Sequence, residues 1–317
     1  MKLEDIGFYT LSDARAIQCS MFSPLWRCEL ILTDRCNFAC PYCRGLKANL
    51  RGDISFDDAK RTCDIWIRER LMNVRFSGGE PTLWPGLCEL VRYCRDGGVK
   101  RIAISTNGSA PLLTYDALLS AGVNDFSISL DACCAEDGDK MTGGHKGSWD
   151  RVVSSVRYLS KRSYTTVGMV FTDENIGSCV ESVLFADSLG VSDIRVVPSA
   201  QFNRALELLW ELPLDVLARH PILRYRVKNG GVVRGMRPKD CGKCRLALDD
   251  MAVAGGWHFP CIIYMREGGA PIGRVGCDIR LTRAAWVEKH DAHADPICSS
   301  MCLDVCMAYN NKTSGAF

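Results

Sequence analysis

Three cysteines, Cys36, Cys40 and Cys43, lie within eight residues of one another in the segment CNFACPYC. Iron–sulfur clusters are held by cysteine thiolates, and a ferredoxin-type run supplies four of them. This segment supplies three, and neither a fourth cysteine nor a histidine follows nearby. A cubane cluster on three thiolates keeps one iron without a protein ligand, and that iron can bind a small molecule. The alternatives are a structural zinc site, which prefers four ligands, and three unrelated buried cysteines.

The composition is that of a soluble globular protein. The chain has 317 residues, a formal net charge of +2, 47% hydrophobic residues and 24% charged residues. This length allows one large α/β domain or a domain with an appendage, and the small net charge gives no clear nucleic-acid signal. The sequence lacks an apolar run of about 18 residues, and its start lacks the apolar core of a signal peptide. We therefore expect a cytoplasmic protein that does not enter a membrane.

Cysteine is unusually frequent, with 18 residues in the chain. Disulfides are rare in reducing compartments, where cysteine-rich patterns more often indicate metal binding or catalysis. Seven of the cysteines lie between Cys241 and Cys306. Eight others are scattered along the chain: Cys19, Cys28, Cys63, Cys88, Cys94, Cys133, Cys134 and Cys179. We interpret most of these eight as packing residues.

Short apolar strands alternate with helical segments from residue 28 onward. This alternation favours βα units and a parallel sheet. Six such units fit residues 28–220, fewer than the eight of a full barrel. We therefore predict an α/β fold, a partial (β/α)6 TIM-like barrel with a small C-terminal cysteine-rich domain. The predicted domains are a lead-in at 1–27, the barrel at 28–220 and the cysteine-rich domain at 221–317.

Glycine and polar residues follow the predicted strands, where the functional groups of barrel folds gather. Gly78, Gly79 and Glu80 follow the second strand in the segment SGGEP. Two glycines let a backbone approach a ligand closely, and Glu80 adds an acceptor, although a plain turn is the alternative.

Further polar side chains occupy the later strand ends. Thr106 and Asn107 follow the third strand, and Ser129 and Asp131 lie at the end of the fourth. For Asn107 and Asp131 the alternative is the capping of the following helices. Arg195 lies on the sixth strand, where a surface salt bridge is its alternative role.

The C-x3-C-x2-C spacing, with Tyr42 before the third cysteine, resembles that of the radical S-adenosylmethionine (SAM) superfamily. In that family the open iron is chelated by the amino and carboxylate groups of SAM. One electron breaks the S–C5′ bond, and the 5′-deoxyadenosyl radical takes a hydrogen atom from the substrate, while the protein supplies position and excludes side reactions. The resemblance covers residues 28–200 and implies an oxygen-sensitive enzyme with a SAM-binding 4Fe–4S cluster.

The resemblance also implies roles for the strand-end residues. The segment SGGEP matches the family's GGE motif, which hydrogen-bonds the SAM amino group, and residues 140–148 resemble a family loop. The other positions line the SAM carboxylate and ribose or the substrate space, or pair with a carboxylate. The predicted SAM-binding residues are Tyr42, Gly78, Gly79, Glu80, Thr106, Asn107, Ser129, Asp131 and Arg195.

The C-terminal cysteines resemble the auxiliary-cluster extension of radical SAM enzymes, in its short "twitch" or longer SPASM form. At least one auxiliary iron–sulfur cluster is therefore expected, and structural zinc on a C-x2-C pair is the alternative. Cys302 and Cys306 are one helical turn apart, so one helix would aim both to the same face. The predicted ligands are Cys241, Cys244, Cys261, Cys298, Cys302 and Cys306. His258, near Cys261, is interpreted as a structural histidine or a group beside the cluster or substrate.

The leading hypothesis is a radical SAM enzyme that cleaves SAM reductively and abstracts a hydrogen atom from a substrate. The substrate is either a peptide in a maturation reaction or a small metabolite or nucleotide. A reductant protein such as flavodoxin or ferredoxin is the expected partner. The alternative is a non-catalytic metal-binding scaffold with a structural zinc site.

Overall fold

The structure is a computed structural model that describes residues 13–45, 51–198, 204–228 and 233–314. The chain divides into two compact units. Unit 1 comprises Met1–Arg35, Gly45–Ile102 and Arg234–Phe317, and unit 2 comprises Cys36–Arg44 and Ala103–Val233. These units are a different division of the chain from the predicted domains, whose boundaries at 28 and 220 stay a prediction. None of the helices in the described ranges is long and apolar enough to cross a membrane.

The six predicted strands are confirmed, and three further strands follow them. The sequence predicts strands at residues 28–33, 73–77, 101–105, 125–130, 165–171 and 194–197, and each is reproduced to within one residue at either end, because each is a short apolar run bounded by turn residues. The strands among the described residues are β1 Arg27–Thr33, β2 Asn73–Gly78, β3 Arg101–Thr106, β4 Asp125–Ser129, β5 Tyr164–Phe171, β6 Asp193–Pro198, β7 Asp250–Ala254, β8 Trp257–Phe259 and β9 Gly273–Arg274.

In unit 1, β1 pairs in parallel with β2 on one side and with β7 on the other. The short strands β8 and β9 continue from β7 in antiparallel order. The sequence pattern does not predict β7, whose five residues lie inside the cysteine-rich segment. All five are buried, as expected for a strand covered on both faces.

The helices of unit 1 are amphipathic segments between and after these strands. The sequence predicts Ser55 as a helix N-cap, with Asp58 three residues on, and this prediction is confirmed: Ser55 caps the helix Phe56–Arg68, and its hydroxyl accepts a hydrogen bond from the Asp58 amide at 3.1 Å. The sequence also predicts a helix over Trp84–Asp96, which begins three residues later, at Leu87, after a short 3-10 helix at Pro81–Leu83. The α-helices are α1 Asp13–Ile17, α2 Phe56–Arg68, α3 Leu87–Asp96, α11 Ile262–Arg266, α12 Ile279–Lys289, α13 Pro296–Met301 and α14 Asp304–Ser314.

In unit 2, β3, β4, β5 and β6 are parallel neighbours in that order. Neither this set nor the strands of unit 1 closes into a ring, which agrees with a partial barrel. The pairing register places Ser129, Gly168 and Arg195 side by side on three adjacent strands. Paired residues of neighbouring strands point to the same face, so these three positions share one surface.

The helices of unit 2 include one that the sequence did not predict, at Ala135–Met141. The sequence predicts Ser148 as the cap of a helix through Leu159, but Ser148 is the first residue of the helix Ser148–Leu159, and Gly147 stands at the cap position without a side-chain bond. The Asp139 carboxylate takes over the capping role and accepts hydrogen bonds from the amides of Gly147 and Trp149 at 2.7 and 2.9 Å. The helices are α4 Leu112–Ala121, α5 Ala135–Met141, α6 Ser148–Leu159, α7 Cys179–Ser188, α8 Arg204–Glu207, α9 Leu214–Arg219 and α10 Pro221–Lys228.

The prediction that most of the scattered cysteines are packing residues is confirmed. Five of the eight are buried: Cys19, Cys28, Cys63, Cys94 and Cys179. Cys88 and Cys133 are half-buried, and Cys134 is exposed.

Candidate functional site

The segment Cys36–Cys43, here called the cluster loop, is fixed in unit 2 by backbone contacts. The Ala39 amide donates to the Thr142 carbonyl at 3.0 Å, and the Cys43 amide donates to the Cys40 carbonyl at 3.0 Å. Gly143 has a φ of +92°, and a Cβ on it would lie 2.8 Å from the Ala39 side chain. Glycine is therefore required there for both conformation and space. The loop at 140–148, singled out by resemblance, supports the cluster loop directly.

Tyr42 is anchored by a buried carboxylate. Its hydroxyl donates to Asp131 Oδ2 at 2.5 Å, and Asp131 Oδ1 accepts from the Val170 amide at 2.7 Å. Burial raises the pKa of Asp131 to about 6, while these two hydrogen bonds lower it. Asp131 does not cap α5, whose cap position is Cys134. Asp131 thus positions the cluster loop, and its predicted contact with SAM stays a prediction.

Asn107 also contacts the cluster loop. Its amide nitrogen lies 2.9 Å from Asn37 Oδ1 and 3.8 Å from Cys36 Sγ, and its oxygen accepts from the Ser109 amide at 3.0 Å. It caps no helix, because α4 starts after Pro111.

The neighbouring Thr106 is buried, and its hydroxyl accepts from the Gly108 amide at 3.1 Å. Thr106 therefore shapes the turn that presents Asn107.

Ser129 and Arg195 lie on the same face of the sheet of unit 2. Ser129 is exposed and Arg195 is half-buried, and Gly168 stands between them. A Cβ on Gly168 would lie 3.5 Å from Arg195 Nη2, so the guanidinium extends over the glycine. A hydroxyl and a cation on one face suit a carboxylate or ribose, the groups that the sequence analysis assigned to them.

The thiols of the cluster loop are accessible. Cys36 and Cys43 are exposed, and Cys40 is half-buried. Burial, followed by the Asp131 carboxylate, raises the pKa of Cys40 to about 11, and the other two thiols act in the same direction. The neighbouring thiols thus disfavour a charge on Cys40, and a bound cation would stabilise that charge.

The segment SGGEP lies in unit 1, where both glycines allow the chain to pass very close to the end of β1. A Cβ on Gly78 would lie 2.3 Å from the Thr33 carbonyl oxygen, and one on Gly79 would lie 2.2 Å from the Arg35 carbonyl oxygen. The Glu80 amide donates to the same Arg35 carbonyl at 2.7 Å. Arg35 immediately precedes Cys36, so this turn fixes the point at which the cluster loop departs.

Glu80 is fully buried, and its carboxylate caps the 3-10 helix that follows. Its Oε1 accepts from the Thr82 amide at 3.1 Å and from the Thr82 hydroxyl at 2.7 Å.

Arg266, which the sequence did not predict as a site residue, reaches the same SGGEP turn from α11. Its guanidinium donates to the carbonyls of Gly78 and Gly45 at 3.5 and 3.3 Å. No local motif marks Arg266, because its contacts are distant in sequence.

Four cysteines of unit 1 form a second group, here called the four-cysteine group: Cys244, Cys261, Cys302 and Cys306. Every pair within this group interacts electrostatically. Burial, followed by the Cys306 thiol, raises the pKa of Cys244 to about 11. Burial and the neighbouring thiols of Cys306 and Cys244 raise that of Cys261. A hydrogen bond with Cys306, followed by burial, raises that of Cys302.

The two remaining predicted ligands differ from these four. Cys298 interacts with Cys244 and Cys261, but its nearest polar neighbours are a histidine and an aspartate. The Cys241 thiol donates to the Lys243 carbonyl at 3.6 Å. The expectation of one helix carrying Cys302 and Cys306 is wrong, because Cys302 ends α13 and Cys306 belongs to α14. The two thiols still lie within hydrogen-bonding reach of each other, on either side of Leu303, which forms an isolated bridge with Arg234.

A fully buried arginine holds the backbone around the four-cysteine group. Arg283 bridges the segments after Cys244 and before Cys261, and burial lowers its pKa to about 10. Its Nη1 also lies 3.1 Å from His258 Nδ1, and burial, followed by Arg283, lowers the pKa of His258 to about 3. His258 is therefore a neutral structural histidine. The backbone carbonyls that accept from Arg283 are those of Ala247, Asp250, Phe259 and Pro260.

Residues 30–186 match the family model described as the radical SAM superfamily. The chain belongs to the radical SAM superfamily. Its first cysteine motif and its SGGEP segment both fall inside the matched region.

Named relatives of this radical SAM chain are enzymes. The chain is 24% identical over 252 residues to a probable GTP 3′,8-cyclase of Metallosphaera sedula, spanning 71% of this chain and 79% of the relative. It is 32% identical over 187 residues to a PqqA peptide cyclase of Rhodopseudomonas palustris, spanning 56% of this chain and 48% of that enzyme. The solved structure of native anSMEcpe with bound AdoMet aligns with a TM-score of 0.64 at 13% identity, over 92% of this chain and 97% of that one.

This protein is therefore a radical SAM enzyme, and its family implies a 4Fe–4S cluster and SAM. The residues of the cluster loop suit such a cluster, because they offer three thiols of which two are exposed. Family membership favours an enzyme over the non-catalytic scaffold.

Proposed function

We propose that this chain cleaves SAM reductively to a 5′-deoxyadenosyl radical and uses it to take a hydrogen atom from a bound substrate. The observation that carries the proposal is the cluster loop, whose three thiols stand on a backbone fixed by Thr142 and Gly143. The proposed cluster ligands are Cys36, Cys40 and Cys43, and the bound cluster would supply the electron. A flavodoxin or ferredoxin is the proposed reductant.

The chain's own residues would orient SAM. Gly78 and Gly79 keep the turn free of side chains, so their backbone can hydrogen-bond the amino group. Ser129 and Arg195 lie on one face with Gly168 between them, and they suit the ribose and the carboxylate. Tyr42, Asp131 and the pair Thr106 and Asn107 act chiefly through the position of the cluster loop. Their direct contact with SAM is a further part of the proposal.

An auxiliary cluster is proposed on the four-cysteine group. Four cysteine thiols are the usual ligand set of a 4Fe–4S cluster, and here neighbouring thiols raise the pKa of Cys244, Cys261 and Cys302, an effect that a bound metal would relieve. Four thiolates also suit structural zinc, so the metal must be measured. Cys241 and Cys298 have their own local partners and are the weaker candidates.

Two substrate classes remain, a ribosomally made peptide and a nucleotide or other small metabolite. Each has a named relative, the PqqA peptide cyclase for the first and the GTP 3′,8-cyclase for the second. The classes can be separated with extracts of cells grown in deuterated medium. Deuterium should enter 5′-deoxyadenosine only with the size fraction that contains the substrate.

The direct test is anaerobic. Reduced, iron-loaded protein should convert SAM to 5′-deoxyadenosine, with or without cell extract. The variant with Cys36, Cys40 and Cys43 changed to Ala should form none. Cys134→Ala is the matched control, because Cys134 is exposed and lies outside both cysteine groups. Absence of 5′-deoxyadenosine from the iron-loaded wild type, while a known radical SAM enzyme is active, would contradict the proposal.

A further inference from the structure

His290, Asp295 and Cys298 form a separate cluster of metal-binding side chains in unit 1. One potential ligand atom from each residue lies within 4.8 Å of the other two. All three side chains are half-buried. In the described part of the chain, this trio is the one group of three or more histidine, cysteine or acidic side chains with such spacing. None of the three belongs to the four-cysteine group.

The spacing of the nitrogen and the sulfur suits a single metal ion. His290 Nε2 lies 3.5 Å from Cys298 Sγ. A tetrahedral zinc ion with bonds of about 2.0–2.1 Å to nitrogen and 2.3 Å to sulfur separates the two ligand atoms by about 3.5 Å. The two atoms therefore stand at the required separation before any ion binds.

The residues around the trio hold the ligands in place. The Tyr264 hydroxyl donates to Asp295 Oδ2 at 2.9 Å, and the Trp286 ring stacks on the His290 ring at 4.0 Å between centroids. Lys243 Nζ donates to the His290 carbonyl at 3.2 Å and so fixes the backbone of the histidine. Supporting contacts of this kind orient the ligands of established metal sites.

Asp295 has a second role that limits its contribution. Its Oδ1 accepts from the amides of Ile297 and Cys298 at 2.9 and 2.8 Å and caps α13. Oδ2 is the oxygen that remains for a metal, since a carboxylate oxygen can accept from Tyr264 and still bind an ion.

All three side chains of the trio are partly exposed to solvent, so an ion can reach them, and His290 also borders a cavity. A cavity of about 410 Å³ is lined by Ile272, Thr282, Ala285, Trp286, Lys289 and His290. Ligand set, spacing, supporting contacts and entry path are the four features by which a metal site can be judged from coordinates.

We propose that His290, Asp295 and Cys298 bind one divalent transition-metal ion, with zinc the best match. A mixed nitrogen, oxygen and sulfur set with three protein ligands leaves a fourth position open for water or a ligand. Cys298 is thereby removed from the predicted ligands of the auxiliary cluster. The site does not depend on SAM chemistry.

The test uses the full chain with its iron loaded anaerobically. One equivalent of Zn²⁺ is added, the protein is desalted, and zinc and iron are counted per chain. Wild type should retain about one zinc with its iron unchanged, while His290→Ala should retain none. His293→Ala is the matched control, since His293 is an exposed histidine three residues away whose Nε2 lies 2.8 Å from the Asp240 carbonyl. Tyr264→Phe should weaken zinc binding roughly tenfold through loss of an outer contact.

X-ray absorption at the zinc edge measures the ligand set of the bound zinc in the wild-type protein, so this test does not require a variant that folds. The wild-type spectrum should require one sulfur and two or more nitrogen or oxygen ligands. Four sulfur ligands would overturn the proposal, because they would place the zinc on the four-cysteine group. Loss of iron from folded His290→Ala protein would also overturn it, since His290 and Cys298 would then serve the iron cluster.

Discussion

The three thiols of the cluster loop come from eight consecutive residues, whereas the four-cysteine group draws its thiols from separate places in unit 1. Cys244 precedes a 3-10 helix, Cys261 caps α11, Cys302 ends α13 and Cys306 lies on α14. In the cluster loop two thiols are exposed, but every thiol of the second group is half-buried. The loop is thus open to an exchangeable ligand, and the second group is built into the packing.

The cluster loop and the four-cysteine group therefore depend on different kinds of contact. A short turn sets the spacing of the cluster loop, and one carboxylate and one neighbouring loop hold it in place. The four-cysteine group depends on the backbone that Arg283 holds in place, because its members come from segments that are distant in sequence. Damage to the first site should remove activity and leave the fold, whereas damage to the second should affect stability as well.

The largest effect is expected from changing Cys36, Cys40 and Cys43 to Ala. Formation of 5′-deoxyadenosine should fall to background, and about four irons should be lost while the iron of the four-cysteine group remains. Iron analysis and chromatographic detection of 5′-deoxyadenosine measure the two results. Loss of all iron would show that the two sites are not independent, which breaks the comparison.

Cys302→Ser tests the four-cysteine group. A hydroxyl is a poorer cluster ligand than a thiolate, so about four irons should be lost from the second group, and the melting temperature should fall by several degrees. Iron at the cluster loop should persist. Cys277→Ser is the control, because Cys277 is an exposed cysteine of the same unit outside the group. An unchanged iron content would remove Cys302 from the proposed ligands.

Tyr42→Phe tests how much the hydrogen bond from Tyr42 to Asp131 contributes to holding the cluster loop. The change deletes the hydrogen bond to Asp131 and leaves that buried carboxylate with the Val170 amide. Hydrogen bonds to charged groups contribute about 1.5–3 kcal/mol, so the free energy of unfolding should fall by about 2 kcal/mol. Denaturant titration measures the change. An unchanged midpoint would mean that the loop is held by its backbone contacts alone.

Arg266→Ala should weaken SAM binding without loss of iron. The guanidinium donates to the carbonyls of Gly78 and Gly45, and both bonds are long. We expect about 1 kcal/mol, or roughly a fivefold increase in the Kd for SAM. Arg274→Ala is the control, because that guanidinium stacks on Trp257. Equal SAM affinities in the two variants would show that the turn at Gly78 needs no support from α11.

The smallest effect is a pH dependence that arises from His258, the neighbour of Arg283. Burial lowers the pKa of His258 to about 3, so the unfolded chain binds a proton at a higher pH than the folded one. Stability should therefore fall as the pH drops below the ordinary histidine pKa of about 6.5, by about 1 kcal/mol between pH 7 and 5.5. His258→Gln cannot titrate there and should lose less stability over the same range. Parallel pH profiles of the two proteins would contradict this assignment.

The sequence predicted the first six strands, the Ser55 cap and the family. These features depend on short-range patterns: apolar runs between turn residues, a hydroxyl before a helix, and a cysteine spacing within one turn. It did not predict β7, because five residues inside a cysteine-rich segment carry no periodic signal. It assigned Ser148 as a cap, but the Asp139 carboxylate from the preceding helix serves that role.

The site itself divides in the same way. The sequence alone determined the three thiols of the cluster loop and the two glycines of the SGGEP turn, because their chemistry lies in consecutive residues. Tertiary structure decided which distant cysteines share a group, that Asp131 holds Tyr42, and that His290 stands beside Cys298. The physical reason is that these contacts join side chains from different helices, strands and loops. Their proximity depends on how buried surfaces pack, which local spacing does not encode.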